Sequence, residues 1–231
     1  MNIHKEINLF KYAEQAQQLL ARKGIDFTSK GFPDLTHFTY TTTLPEEIEV
    51  WPYNKRNQAL NPSKTVLTFF EDDKLLYGYL NSIDKVTSNL ILYYGVTGFD
   101  ISPCITSNTA IQKAALLINT LVNGILLTNN IRVIPSLRTG GPETVSALKC
   151  YPQKICYAYG SLGCGQKLLA LGQQMTAFKL ALCKPSQVLV YGNLSATDAT
   201  LFDNWNTPVL SFPDYQRESR KRSKQKGRYD V

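Results

Sequence analysis

Apolar residues follow two different spacings along this chain. Between residues 7 and 23, apolar side chains recur every three or four positions and Gly24 follows, which predicts an amphipathic helix. From Thr65 onward, short apolar runs such as TVLTFF, IRVIPSL and QVLVYG alternate with longer stretches of helical spacing. This alternation predicts βαβ units and a parallel sheet, and therefore an α/β fold.

The alternation predicts about six strands. A doubly wound sheet accommodates this number, and so does a compact, incomplete TIM-like barrel, because a full eight-unit barrel usually needs about 250 residues. The pattern leaves both architectures open. In both, functional residues are expected at the carboxyl ends of the strands.

Composition divides the chain into three parts. Residues 1–64 combine the first helix with a proline-rich segment, for which we expect irregular structure anchored on the body by Trp51 and Tyr53. Residues 65–213 form the predicted α/β domain, and residues 214–231 form a basic tail.

Positive charge is concentrated in that tail. The chain has a net charge of +7, and residues 216–231 carry seven basic and two acidic side chains, which leaves +2 for the remainder. We expect the tail to be solvated and to bind DNA or RNA through phosphate contacts, with little sequence preference. The basic residues are Arg217, Arg220, Lys221, Arg222, Lys224, Lys226 and Arg228.

The sequence predicts neither a membrane partner nor a metal site. The most apolar stretch, residues 114–127, is too short to cross a bilayer and contains two asparagines, so a buried helix is expected. Five cysteines without C-x-x-C spacing and only two histidines argue against zinc. A reducing cytoplasm is the expected compartment, and no pattern identifies a cofactor.

The segment YAYGSLGCGQK, residues 157–167, has the glycine spacing of a phosphate-binding loop. Gln166 stands where a P-loop needs Lys, and Leu168 stands where it needs Ser or Thr, so we expect no Mg-ATP binding of that kind. Backbone amides before a helix still suit a phosphate, although a plain glycine-rich turn is the simpler alternative. The candidate anion-binding residues are Gly160, Gly163, Gly165 and, after the next strand, Asn193.

Three strand ends offer catalytic candidates. Asp100, Arg138 and Ser161 each follow a predicted strand, so they are expected to face one crevice. A carboxylate there suits acid–base chemistry, and an arginine suits an anionic substrate. The alternative is structural, with Asp100 capping a turn or a helix and Arg138 pairing with Asp100 or Glu143.

Several segments together resemble one family. Over about residues 66–215 the chain resembles a domain-of-unknown-function family found in bacteriophages, plasmids and related bacterial loci. Asp100 and Ser102 match its Asp-Phe-Ser motif, whereas Thr139 stands where an aromatic residue often follows Arg138. The resemblance implies a phage or plasmid setting in a bacterial host cell, and no established activity. Its segments are GFDISPC, the helix with Asn108 and Asn119, IRVIPSLR, ICYAYGSLGC and KPSQVLVYGN.

These observations leave three hypotheses for function. The basic tail and the resemblance favour a nucleic-acid-associated protein of a mobile element, acting for instance in replication or transfer. The strand-end residues favour a small-molecule- or nucleotide-processing enzyme. A phage-encoded protein that sequesters a host ligand or protein is the third hypothesis.

Overall fold

The computed structural model describes residues 7–160, 169–215 and Ser219. This part of the chain is an α/β structure of seven strands, six α-helices and three 3₁₀ segments. The strands are β1 (Glu49–Pro52), β2 (Thr65–Thr68), β3 (Gly95–Thr97), β4 (Val133–Ile134), β5 (Cys156–Gly160), β6 (Gln187–Tyr191) and β7 (Val209–Phe212). The helices are α1 (Leu9–Arg22), α2 (Asp73–Leu80), α3 (Ile83–Leu90), α4 (Thr109–Thr128), α5 (Leu169–Cys183) and α6 (Ala196–Asn204), and the 3₁₀ segments are Tyr53–Gln58, Pro62–Lys64 and Pro142–Cys150.

All seven strands are parallel and lie side by side in the order in which they follow one another along the chain. β1 to β4 form one sheet and β5 to β7 a second, and a parallel bridge between Ser136 and Ala158 joins them. At this bridge, Leu137 N–H donates to the Ala158 carbonyl and Ala158 N–H to the Pro135 carbonyl, each at 2.8 Å. A doubly wound sheet has a point where the strand order reverses, and the described strands have none.

The two faces of the sheet contact different partners. Outward-facing side chains such as Leu67 and Val188 belong to the large cluster that the helices cover. Inward-facing side chains form a separate cluster in which the Phe70 ring stacks on Tyr191, with centroids 6.2 Å apart. Phe70 follows β2 and Tyr191 ends β6, and three strands lie between these two in the sheet. The sheet therefore curls around its own side chains, as in an incomplete TIM-like barrel.

Helix α4 lies between the sheet and α1. Its residues Ile118 and Val122 join the cluster on the sheet, whereas Leu121 and Ile125 pack with Leu20 of α1. α4 is long and apolar enough to cross a membrane by composition, but two thirds of its most apolar window, 67%, is buried inside the protein. This burial is consistent with the core helix of a soluble protein.

The structure differs from the sequence prediction in two places. Irregular structure was expected across the proline-rich segment, and that expectation is wrong at β1, which pairs with β2 over four residues. β1 is too short to show alternation and ends in a proline, which normally interrupts a strand. Tyr53 is buried and Trp51 half-buried, so both serve as the expected anchors. The spacing of apolar residues over residues 73–86 predicts one continuous helix, and the structure has the pair α2 and α3 there.

A methyl group added at Gly160 should test the packing inside the curled sheet. A Cβ at this position would lie 2.7 Å from Cδ1 of Phe70, closer than carbon atoms approach. We expect Gly160→Ala to lower the free energy of unfolding by about 1–3 kcal/mol, measured by urea denaturation, because an overpacked interior must shift. Gly78→Ala is the control, since no atom lies within 4 Å of its added Cβ. It should stabilise α2 by about 0.5–1 kcal/mol. An unchanged stability in Gly160→Ala would mean that the Phe70 ring is not held in place.

Candidate functional site

Polar side chains from two neighbouring strands meet at the carboxyl edge of the sheet. Asp100 follows β3, and Ser136 and Arg138 follow β4. The Arg138 Nε donates to Asp100 Oδ2 at 2.8 Å, and the Ser136 hydroxyl donates to Asp100 Oδ1 at 3.3 Å. The backbone N–H of Arg138 donates in turn to the Ser136 hydroxyl oxygen at 3.1 Å. Two of the three residues predicted to share a crevice are therefore in direct contact.

Burial determines the electrostatics of this pair. Asp100 is 2% exposed, whereas the Arg138 side chain is 19% exposed. Burial raises the pKa of Asp100 to about 6, while the Arg138 guanidinium and the Ser136 hydroxyl act in the opposite direction with smaller effect. The nearby Asp73 carboxylate adds a further small increase to this pKa. Asp100 therefore changes its protonation close to neutral pH, and Arg138 is the member of the pair that reaches solvent.

Two asparagines of α4 hold the backbone on both sides of Asp100. The Asn123 Oδ1 accepts from Phe99 N–H at 2.8 Å. Asn119 makes two bonds to Ile101, accepting from its N–H and donating to its carbonyl, each at 2.9 Å. The Asn123 amide also donates to the Tyr151 hydroxyl at 2.7 Å. Because Asn119 and Asn123 are one helical turn apart, they present the two bonding groups along one line of α4.

The side-chain amide of Gln112, also on α4, binds the loop after β3 and the loop after β4. The Gln112 Oε1 accepts from Gly141 N–H at 2.6 Å, and its Nε2 donates to the carbonyls of Ser107 at 2.8 Å and Ile105 at 3.3 Å. A Cβ at Gly140 would overlap the Gln112 side chain, so only glycine fits there. The loops after β3 and β4 are thus fastened to one rigid helix.

Two carboxylates that follow β2 also hold loops at this edge of the sheet. The Asp73 Oδ1, at the start of α2, accepts from Ser102 N–H at 3.1 Å. The neighbouring Glu71 accepts from Asn54 N–H at 2.8 Å and from the Tyr79 hydroxyl at 2.7 Å. Burial raises the pKa of Glu71 despite these two bonds. Both carboxylates are engaged in holding loops together at the edge where Asp100 lies.

A small cavity lies behind the ion pair. It has a volume of about 20 Å³ and is lined by residues of the strand ends, α4 and the last 3₁₀ segment. Its walls include Asp100, Asn119, Thr120, Arg138 and Tyr151. A space of this size holds a single water-sized molecule. A larger ligand must therefore approach Arg138 from its solvent side.

The other predicted site residues fall in different places. Gly160 packs under the Phe70 ring, and Asn193 is exposed in the turn between β6 and α6. Ser161, Gly163 and Gly165 lie outside the described residues, so a phosphate role for that loop stays a prediction. The same holds for all of the tail residues named above, from Arg217 to Arg228.

The described part of the chain contains no grouped metal ligands, and its cysteines lie in two different surroundings. Among residues 7–160 and 169–215, no three His, Cys, Asp or Glu side chains are grouped as metal ligands. Cys150, Cys156 and Cys183 are buried, which raises the pKa of each thiol. Cys104 is exposed and contacts the Thr106 hydroxyl at 3.1 Å.

The hydrogen bonds of Asn119 and Asn123 to the backbone around Asp100 form an asparagine clamp. This clamp is the part of the site that the sequence did not predict. In the sequence, Asn119 and Asn123 interrupt an apolar stretch, and Asn119 also lies in one segment of the family resemblance. The available signal was their four-residue spacing on a helix that is otherwise apolar on most sides. Buried amides need hydrogen-bond partners, so such a pair indicates that a backbone segment crosses the helix at that level.

Comparison of the chain with protein-family models, curated proteins and solved structures finds no match. The resemblance to a phage and plasmid family therefore stays a prediction.

The raised pKa of Asp100 predicts a specific pH dependence of stability. A carboxyl that ionises less readily in the folded chain binds more protons there, so folding weakens as the pH rises from the unfolded pKa through about 6. Between about pH 4 and pH 7, wild type should lose ~2 kcal/mol of unfolding free energy relative to Asp100→Asn. Urea denaturation across this range measures the difference, with the exposed Glu46→Gln as the control. A constant difference between wild type and Asp100→Asn would contradict the prediction.

Proposed function

We propose that this protein is an enzyme that processes a phosphate-bearing small molecule, of the nucleotide class, at the carboxyl ends of β3 and β4. The observation that supports the proposal is the ion pair of Asp100 and Arg138 at this edge. In parallel α/β folds, ligands bind outside the carboxyl ends of the strands. The pair also combines an anion-binding group with a carboxyl whose pKa is near 6.

Arg138 has the role of binding the substrate anion. Its guanidinium is the partly exposed member of the pair, and the bond from Nε to a carboxylate fixes the plane of the guanidinium. A planar fork of this kind matches the oxygens of a phosphate or a carboxylate. The small cavity beside the pair has too little volume for a nucleotide, which leaves the solvent side of Arg138 for the substrate.

Asp100 has the role of positioning Arg138 and of storing a proton. The negative charge of a bound phosphate offsets part of the positive potential that Arg138 produces at Asp100. This change raises the pKa of the Asp100 carboxyl and favours its protonation. The Ser136 hydroxyl bridges Asp100 and the Arg138 backbone, so it keeps the two loops in register as the charge changes. These roles suit general acid–base chemistry on a substrate held by its phosphate.

Phosphate binding at Arg138 is directly measurable. Inorganic phosphate and a nucleoside monophosphate should each raise the melting temperature of wild type in a concentration-dependent manner, because a ligand of the folded state stabilises it. Arg138→Lys keeps the charge opposite Asp100 but removes the planar fork. We expect it to weaken both ligands by about tenfold, the equivalent of ~1.4 kcal/mol.

Two further variants make the result interpretable. The double variant Asp100→Asn/Arg138→Gln avoids a buried unpaired carboxylate and should lose the phosphate effect as well. Arg132→Gln is the control, because Arg132 lies before β4, where it stacks on Tyr94 and donates to its carbonyl at 2.9 Å. Equal phosphate stabilisation in wild type and Arg138→Lys would contradict the proposal.

Association with nucleic acid is a second candidate function, favoured by the separation of charge along the chain. Seven of the 25 basic residues lie within 12 positions near the carboxyl end, whereas the body is close to neutral. Such a segment attracts phosphate backbones through counterion release, independently of base sequence. This candidate uses the tail and the first uses the strand ends, so the two are compatible.

The tail prediction is tested by removing charge rather than residues, because Tyr215 packs on the body. We expect replacement of the seven basic residues by glutamine to lower affinity for a single-stranded oligonucleotide at least tenfold at low salt and to flatten its salt dependence. Fluorescence anisotropy at two salt concentrations measures both. Replacement of three exposed body lysines, Lys11, Lys85 and Lys149, is the control. Unchanged affinity and salt slope in the tail variant would eliminate the tail as the binding element.

A further inference from the structure

Two buried hydroxyl groups within residues 7–160 and 169–215 have no hydrogen-bond partner. They belong to Thr139, which directly follows Arg138, and to Tyr12 on α1. A buried hydroxyl without a partner lowers the stability of the folded chain, because nothing replaces the water that it has lost. Such groups are rare in folded proteins, and a ligand that binds beside one of them accounts for it.

Two polar side chains that contact the loop after β4 are engaged with other groups. The Ser136 hydroxyl donates to a carboxylate at 3.3 Å and accepts from a backbone N–H at 3.1 Å. The Gln112 amide, against which Gly140 lies, accepts from one backbone N–H and donates to two carbonyls. The bonds that fix this loop therefore leave the Thr139 hydroxyl unused.

Thr139 adjoins the residue to which we assign the substrate anion. The Cα atoms of consecutive residues are about 3.8 Å apart, so one phosphate can contact the side chains of both Arg138 and Thr139. Thr139 is half-buried although its hydroxyl oxygen is buried, so its exposed surface belongs to its other atoms. Rotation about the Cα–Cβ bond moves the hydroxyl between staggered positions. The hydroxyl can thus turn outward to donate to a phosphate oxygen.

We propose that Thr139 is a second binding residue for the substrate phosphate, with its hydroxyl donating to the anion that Arg138 holds. This inference rests on the proposed phosphate site. Arg138 supplies the positive charge, and Thr139 supplies one directed donor. A hydroxyl that donates to an ionised oxygen forms a stronger hydrogen bond than one between neutral groups. Binding therefore gives the hydroxyl the partner that it lacks in the ligand-free protein.

Substitution of Thr139 should change stability and phosphate affinity in opposite directions. Thr139→Val replaces the unpartnered hydroxyl by a methyl group of similar shape, and should raise the melting temperature of the ligand-free protein by about 2–4 °C. The same variant should weaken the binding of inorganic phosphate and of AMP by about tenfold, because the anion loses one donor. Thermal unfolding across a range of ligand concentrations measures both quantities, and calorimetry checks the affinities.

Two control variants distinguish a ligand-binding role of the hydroxyl from a structural one. Thr139→Ser keeps the hydroxyl and should keep phosphate affinity within about twofold of wild type. Tyr12→Phe removes the other unpartnered hydroxyl, which lies on α1 and packs with the face of α4 that is turned away from the sheet. It should raise the melting temperature by a similar amount and leave phosphate affinity unchanged.

Each contrary outcome points to a different claim. Unchanged phosphate affinity in Thr139→Val, together with weaker binding in Arg138→Lys, would overturn this inference and leave the phosphate site standing. A lower melting temperature of ligand-free Thr139→Val would mean that the hydroxyl has a partner in the folded chain, and an equal loss of affinity in Thr139→Ser would attribute the effect to loop shape. Either result would also overturn the inference. Absence of phosphate binding by wild type would overturn the phosphate site together with the role of Thr139.

Discussion

The strand-end face depends on the hydrogen bonds between the side-chain amides of α4 and the backbone around Asp100. Asn119 and Asn123 together bind three backbone groups of Phe99 and Ile101, so the residue between them cannot turn away. Removing either amide would leave buried N–H or carbonyl groups without partners, at about 1–3 kcal/mol each. Through Gln112 the same helix also holds the loops after β3 and β4. One helix therefore determines the geometry of the whole candidate site.

This rigid setting explains how a buried carboxylate is tolerated. Asp100 loses hydration that its bonds to Arg138 and Ser136 replace only in part, which is why its pKa is raised in spite of a cationic partner. A flexible loop would restore the lost hydration by moving Asp100 into water. The asparagine clamp and the Asp73 bond to Ser102 prevent that movement. A carboxyl pKa raised by burial in this way is common where a group must act on a ligand.

Sequence reasoning recovered the parts of the structure that rest on local pattern. The α/β class, the N-terminal helix and the long buried helix α4 follow from apolar spacing. The contact of Asp100 with Arg138 is the pairing that the structural alternative for these two residues predicts. β1 was missed because four residues ending in proline carry no alternation, and its strand identity comes only from pairing with β2. The choice between sheet and barrel was beyond the sequence, since it depends on Phe70 meeting Tyr191 across distant strands. The clamp was missed because hydrogen-bond partners of buried amides are tertiary contacts.

The strands lie in the sheets in the same order as in the chain, and this order affects how the protein folds during its synthesis. Every described ladder joins a strand to the one that precedes it, so the pairings are as short-range as a parallel sheet allows. Chains with near-neighbour contacts close smaller loops and fold faster than chains with distant pairings. Each strand that leaves the ribosome finds its partner already synthesised, and only contacts across the interior, such as Phe70 with Tyr191, must wait. The polypeptide can therefore assemble progressively during translation, with closure of its aromatic interior as a late event.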